Sequence, residues 1–416
     1  MNRMLVAWTM IAAPVALAVA AIAAGVSMYH PAWWSAAVHL AVLGGITMMI
    51  YAVNIRIVPV FARRTWRYPR LLVAQVGLGG VGAWLTFAGE GLQSNAWSRI
   101  GRLLALFGGL LFMVNVITLF HQKPMFQHAP PTEDPQQGDV DTIATKFTRL
   151  SGMLLVIGLA IGVMLSWQVP ERGRWDLVWA HTMLVGFFLT MASGVCYHVL
   201  SRWTGHPLRS VGLIRWHYRL VAFGLPLMLI ALAVNSSWLF MIAGPIQALA
   251  LALFAINILP LVWNLDGTIR AGVVLAMIFL AGGVSLGVMF AIDASLGARL
   301  RPVHVEANLF GWSGLLISGF GYYFAPHFAG TQLRWPRVAR LQLVVLALGV
   351  LGGIAALAWR MEGGGPESLV LAAQGVVGLG LLLFAVQVAG AFAIPPEEPV
   401  VLIRPTIRAS GTVRTS

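Results

Sequence analysis

Cysteine occurs once in the 416 residues, at Cys196. One thiol excludes an intramolecular disulfide and any cysteine-based zinc or iron–sulfur centre. Charge is also scarce: Asp, Glu, Lys and Arg together make up 10% of the chain, with only 14 acids against 27 bases. So little charge beside 59% hydrophobic residues and a mean hydropathy of +0.82 excludes an ordinary soluble globule. Missing too are a P-loop, a dinucleotide-binding turn and a nucleophile motif in a plausible setting. The glycines of GLGGVG (77–82) fall inside an apolar run and read as helix packing.

What is present is a succession of apolar runs, each fitting a bilayer crossing of about 20 residues. The runs predict an all-α integral membrane protein of twelve helices, near 5–28, 34–60, 71–92, 101–121, 148–168, 175–200, 214–235, 237–262, 270–292, 303–327, 338–359 and 368–393. The opening run is signal-like, but its apolar length favours a retained first span. The net charge of +13 does not point to nucleic acid, because the arginines fall in short clusters between spans. Clusters at 62–70, 201–219 and 331–340 alternate as the positive-inside rule requires if both termini are cytoplasmic, in a bacterial inner membrane. One membrane domain (1–395) is expected, with a Pro-, Asp- and Gln-rich linker at 122–147 and a polar, basic tail at 396–416, both cytoplasmic.

Three segments resemble one another, beginning at His39, His181 and Glu306. Glycine recurs five residues into each, as Gly44, Gly186 and Gly311. The second and third share Gly194 and Gly319, Tyr197 and Tyr322, and Gly205 and Gly330; Pro59 and Pro326 also correspond. These are spans two, six and ten. The spacing predicts three four-helix pseudo-repeats about a pseudo-threefold axis.

Ionisable residues inside a bilayer are costly and direct attention to function. His39, His181 and His304 open the three repeated spans. A neutral imidazole in a helical bundle suits haem iron and also copper. His304 and Glu306, two apart on a helix, point in directions roughly 200° apart and so serve two sites rather than one. Arg299 and Arg301 precede His304 and either pair with haem propionates or hydrate a loop. His121, His198, His217 and His327 lie at the other ends of spans and read as interfacial or loop residues. His30, His128 and His206 lie in loops. Glu90 and Asp293 read as solvated helix ends, and Trp33, Trp34, Trp175 and Trp179 as an aromatic belt.

Twelve spans with histidines on the second, sixth and tenth resemble subunit I of the haem-copper oxidases and nitric oxide reductases, the C-type (cbb-type) oxidases most of all. Residues 179–203 are similar to that family's sixth span, and 304–330 to its tenth, which opens with His-x-His. The resemblance implies b-type haem, one or two, with His304 as the high-spin ligand, His39 as the low-spin ligand and His181 where copper sits. Glu306 replaces the second histidine of the pair. The copper ligands of span seven would fall at Ala231 and Leu232, so a three-histidine copper centre is not expected. The pieces GFFLT (186–190) and RWTG (202–205) also resemble the NnrS family of membrane proteins. The resemblance thus implies a haem protein with a degenerate binuclear site. It would bind or reduce a diatomic gas, nitric oxide or oxygen, or transfer electrons as an oxidoreductase, with cytochrome c or another redox subunit as partner.

Two other classes stay open. One is a transporter or channel using His39, His181 and Glu306, with Asn54, Asn115 and Asn257 in mid-span. The other is a non-catalytic assembly subunit of an oxidase.

Overall fold

The computed structural model describes residues 2–125, 134–167 and 169–393. Within them the chain forms twelve consecutive helices and no strand. They are α1 Asn2–Val26, α2 Ala32–Ala62, α3 Pro69–Gly91, α4 Asn95–Phe120, α5 Gln137–Met164, α6 Arg172–Thr204, α7 Val211–Ala233, α8 Ser237–Val262, α9 Gly267–Ile292, α10 at 294–329, α11 Pro336–Met361 and α12 Glu367–Ala393. All but α10 are long and apolar enough to cross a membrane. In α10 the buried residues from Ser313 onward include Ser, Gly and Tyr beside the aliphatic side chains, which lowers its apolarity.

The repeat expected from the sequence is carried into the backbone in more detail than the residues announced. In α2, α6 and α10 the α-helix gives way to a π-helical stretch at the same place, Leu40–Thr47, Thr182–Leu189 and Ala307–Trp312. A hydroxyl closes each one by donating to the carbonyl five residues back: Thr47 to Val42 at 2.8 Å, Thr190 to Val185 at 3.0 Å and Ser313 to Asn308 at 2.9 Å. Gly44, Gly186 and Gly311 lie inside these stretches and each faces the helix before its own, meeting Ala16, Leu154 and Phe279 respectively. All three inner helices end in a left-handed residue at one register. Gly205 (φ 69°) and Gly330 (φ 70°) adopt it without a Cβ penalty, and Arg63 (φ 56°) adopts it in the first unit. The shared pair Gly205 and Gly330 are therefore helix caps.

Close helix approach also explains GLGGVG. A Cβ on Gly82 would lie 2.6 Å from the Gly101 carbonyl oxygen of α4, and one on Gly108 would lie 2.9 Å from the Gly79 nitrogen. Backbones this close exchange dispersion over their whole contact length. Gly82→Val is expected to cost about 1–3 kcal/mol by overpacking, read as a lower detergent melting temperature, whereas Gly77→Val, with open space around it, is expected to be near neutral.

The fifth helix starts at Gln137, so the stretch 137–147, expected as linker, is helical. Its polar side chains dock the helix end onto α6. The Gln137 amide donates to the Tyr197 carbonyl at 3.1 Å and accepts from the Ser201 hydroxyl, and Arg202 grips Asp141 through both of its amino groups at 2.9 and 2.6 Å. Residues 126–133 of the expected linker, and the whole tail at 396–416, lie outside the described residues.

Candidate functional site

The three repeat-opening residues start from equivalent positions, but their surroundings differ. His39 is 3% exposed. Its Nδ1 donates to the Ser35 carbonyl at 2.8 Å, and its Nε2 accepts from the Arg102 guanidinium of α4 at 3.1 Å. A guanidinium only donates, which fixes the Nδ1–H tautomer and uses up the remaining lone pair. Arg102 also pairs with Glu90 at 2.8 Å and donates to the Gly162 carbonyl at 2.6 Å. Glu90 further accepts from Ser35 at 2.9 Å and Ser98 at 2.8 Å. Trp179 of α6 covers the His39 ring, with centroids 4.3 Å apart. Glu90 is therefore not a solvated helix end, and Trp179 does not belong to an aromatic belt: both enclose His39, because an ion pair at this depth needs full hydrogen bonding.

Glu306 faces the third unit. It is 3% exposed; one carboxylate oxygen accepts from Gln374 of α12 at 2.7 Å, and the other has no hydrogen-bond partner. Gly353 of α11 makes room for it, since a Cβ there would lie 2.8 Å from Oε1. His304 turns the other way, toward α9, where its Nδ1 donates to the Gly283 carbonyl at 2.9 Å. The two side chains thus face different helices, as their two-residue spacing requires.

His181 and His304 are the pair that the fold brings together. Their rings face each other nearly parallel, with centroids 6.4 Å apart and planes 23° apart. His181 donates from Nδ1 to the Leu177 carbonyl at 2.8 Å, as His304 does to Gly283. Each carbonyl accepts only, so each imidazole in its neutral form keeps a lone pair on Nε2, and neither Nε2 hydrogen-bonds to a described residue. A backbone carbonyl on one ring nitrogen, orienting the other, is the usual support of a ligating histidine. Gly287 and Phe290 of α9 form the seat of the His304 ring, the phenyl centroid lying 5.5 Å away.

The repeat explains why this pair alone is free. Arg102 stands 63 residues after His39, and Gln374 stands 68 after Glu306. Sixty-three residues after His181 the chain has Gly244, which carries no side chain to fill the corresponding place. A Cβ on Gly244 would meet Ala291 of α9 at 3.7 Å, one turn from Gly287 beside the His304 ring. In the first and third units the protein supplies a polar partner; in the second it leaves the position empty.

Other polar residues lie elsewhere. Arg299 and Arg301 are exposed on α10 before His304. Asp293 is exposed and caps that helix, and the hydrogen bonds from Ser295 hold its carboxyl below the usual range. His217 is not interfacial: it is 1% exposed and shares a 2.9 Å hydrogen bond with the Tyr197 hydroxyl. His198 is likewise buried, bonded to Asp141 at 2.9 Å. Its neighbour Arg202 grips the same carboxylate. Both histidines lie a full π-stretch and several turns beyond the facing pair, so neither joins it. Among the described residues no three His, Cys, Asp or Glu side chains gather closely enough to hold a metal ion.

No family model matches this chain, and no curated protein does either. Among solved structures the chain is similar to a haem-copper terminal oxidase whose dimer was determined by cryo-electron microscopy. The TM-score is 0.74 at 12% identity, over 97% of this chain and 86% of that one. The chain has the fold of subunit I of the haem-copper oxidases.

Proposed function

We propose that the protein, built on the oxidase fold, holds haem iron at the His181–His304 pair and takes up a diatomic gas, nitric oxide foremost, or passes electrons. The observation that carries this reading is the pair of facing imidazoles, each fixed by a backbone carbonyl and each keeping its Nε2 lone pair unused. The donor set fits the iron of a haem, which imidazole nitrogen holds well. It does not fit a three-histidine copper centre, for which Ala231 and Leu232 offer no donor.

His304 would be the permanent ligand, because Gly283, Gly287 and Phe290 fix its ring on one helix face. His181 would stand opposite, as a second ligand that yields to a gas molecule or hydrogen-bonds to it. Haem bound there supplies an iron with an exchangeable position and a one-electron couple. Arg299 and Arg301 are the expected partners of its propionates. One haem, b-type, is proposed rather than two. His39 is committed to Arg102 and so offers no free donor for a second, and the carboxylate of Glu306 is a hard ligand that suits haem iron poorly. If the protein turns over, it is an oxidoreductase served by cytochrome c or another redox subunit. The arginine-rich loops support a bacterial inner membrane with both termini inside.

A transporter using His39, His181 and Glu306 fits the geometry less well, because the three residues face three separate interfaces with no common path. The test is an absorption spectrum of the purified protein, oxidised and then reduced with nitric oxide. A Soret band that shifts on adding the gas supports the reading. Protein expressed with ample haem and lacking the band overturns it.

A further inference from the structure

Beyond the π-helical stretches, the three inner helices and α1 border an apolar cavity of about 80 Å³. Its wall repeats with the fold. Ten residues after each repeat start stand Met49, Met191 and Leu316; fifteen residues after stand Asn54, Cys196 and Gly321. All six line the cavity, and α1 adds Met10. Three thioethers and the only thiol of the chain therefore surround one space, and all four side chains are buried.

A methionine in a core ordinarily fills an irregular gap with its flexible, polarisable chain. Here the methionines border a gap that stays open. The wall also holds a buried amide, Asn54, whose Nδ2 donates to the Met191 sulfur at 3.9 Å and so keeps that sulfur at the cavity edge. No acid and no histidine lines the space, so hard cations and the borderline metals that prefer imidazole find no ligand. Sulfur donors in an apolar surrounding select a soft, monovalent d¹⁰ ion.

We propose that the cavity is a Cu(I) site, with Met49, Met191 and Cys196 as ligands and Met10 as a fourth donor. It is separate from the His181–His304 pair and does not depend on it. Binding is a simple exchange: the Cys196 S–H bond breaks as a Cu–S bond forms, the proton leaves to water, and copper remains Cu(I) throughout. Thiolate and Cu(I) cancel in charge, which removes the Born cost of a bare ion in a low-dielectric interior.

The experiment uses the full-length protein in detergent, titrated anaerobically with Cu(I) buffered by bicinchoninate and then read by copper K-edge absorption. Expected are one tightly bound equivalent and a first shell of sulfur alone. Met49→Leu and Met191→Leu, which keep the volume, are each expected to weaken binding at least about tenfold, and Cys196→Ser more, while His304→Ala leaves it unchanged. A nitrogen- or oxygen-dominated shell in the native protein overturns the site. So does Cu(I) affinity that is the same in the native protein and in the Met49→Leu/Met191→Leu/Cys196→Ser triple variant. The native spectrum decides even if a variant fails to fold.

Discussion

His304→Ala is expected to purify with its Soret absorbance reduced more than about tenfold, while His217→Ala keeps it in full. The contrast between these two histidines, one facing His181 and one sealed in the core, is what makes the result specific. His304 and His181 lie with ring centroids 6.4 Å apart, and only the Nδ1 of His304 is tied to the protein. His217 is packed among Phe147, Tyr197 and Phe254 on another helix, with its Nδ1 bonded to a tyrosine hydroxyl, and it does not face His181 or His304. His217 is 1% exposed and His304 only part-buried, so loss of packing alone would harm His217→Ala the more, the reverse of the expected order of haem loss. His181→Ala supplies the third point. It is expected to keep haem on His304 but with an altered spectrum and faster gas binding, because the residue opposite is gone. Equal haem loss from His304→Ala and His217→Ala would mean that the band reports folding and not ligation.

The largest stability effect is expected from Arg102→Met. Arg102 is 2% exposed and answers three acceptors at once: Glu90, the His39 Nε2 and the Gly162 carbonyl. Removing it leaves the His39 lone pair without its donor and Glu90 with only the half-exposed Arg172, 3.5 Å away, as its cation. Breaking one side of a buried pair costs about 3–5 kcal/mol. The double variant Arg102→Met/Glu90→Gln is expected to recover part of that loss, because a neutral amide tolerates burial better than an orphaned charge. Thermal melting in detergent separates the cases. If the single variant melts within a degree or two of the native protein, the network is not what holds α2 to α3 and α4.

How far the sequence disclosed this arrangement depended on the residue. Gly44, Gly186 and Gly311 revealed the threefold repeat because a glycine at fixed spacing marks a place where a neighbouring helix comes close. The two-residue offset of His304 and Glu306 gave their opposite faces directly. The partner of His39 could not be read in the same way. Arg102 lies 63 residues away in another span, and nothing local reveals that α4 passes beside α2. Nor could the cavity wall be found by counting. A helical wheel advances a constant angle per residue, and that constancy fails inside Leu40–Thr47, Thr182–Leu189 and Ala307–Trp312. The start of α5 was hidden for another reason. Gln137 and Asp141 look like linker residues by composition, and only their contacts with Tyr197 and Arg202 show them to be helix.

The three π-helical stretches also carry a history. A wide turn at one register in all three inner helices, closed each time by a hydroxyl reaching five residues back, is most simply inherited from a single ancestor. What diverged afterwards were the residues that fill its neighbourhood: an arginine in one copy, a glutamine in another, a glycine in the middle one. The three units thus share one backbone device, and the middle one alone places no side chain at this position.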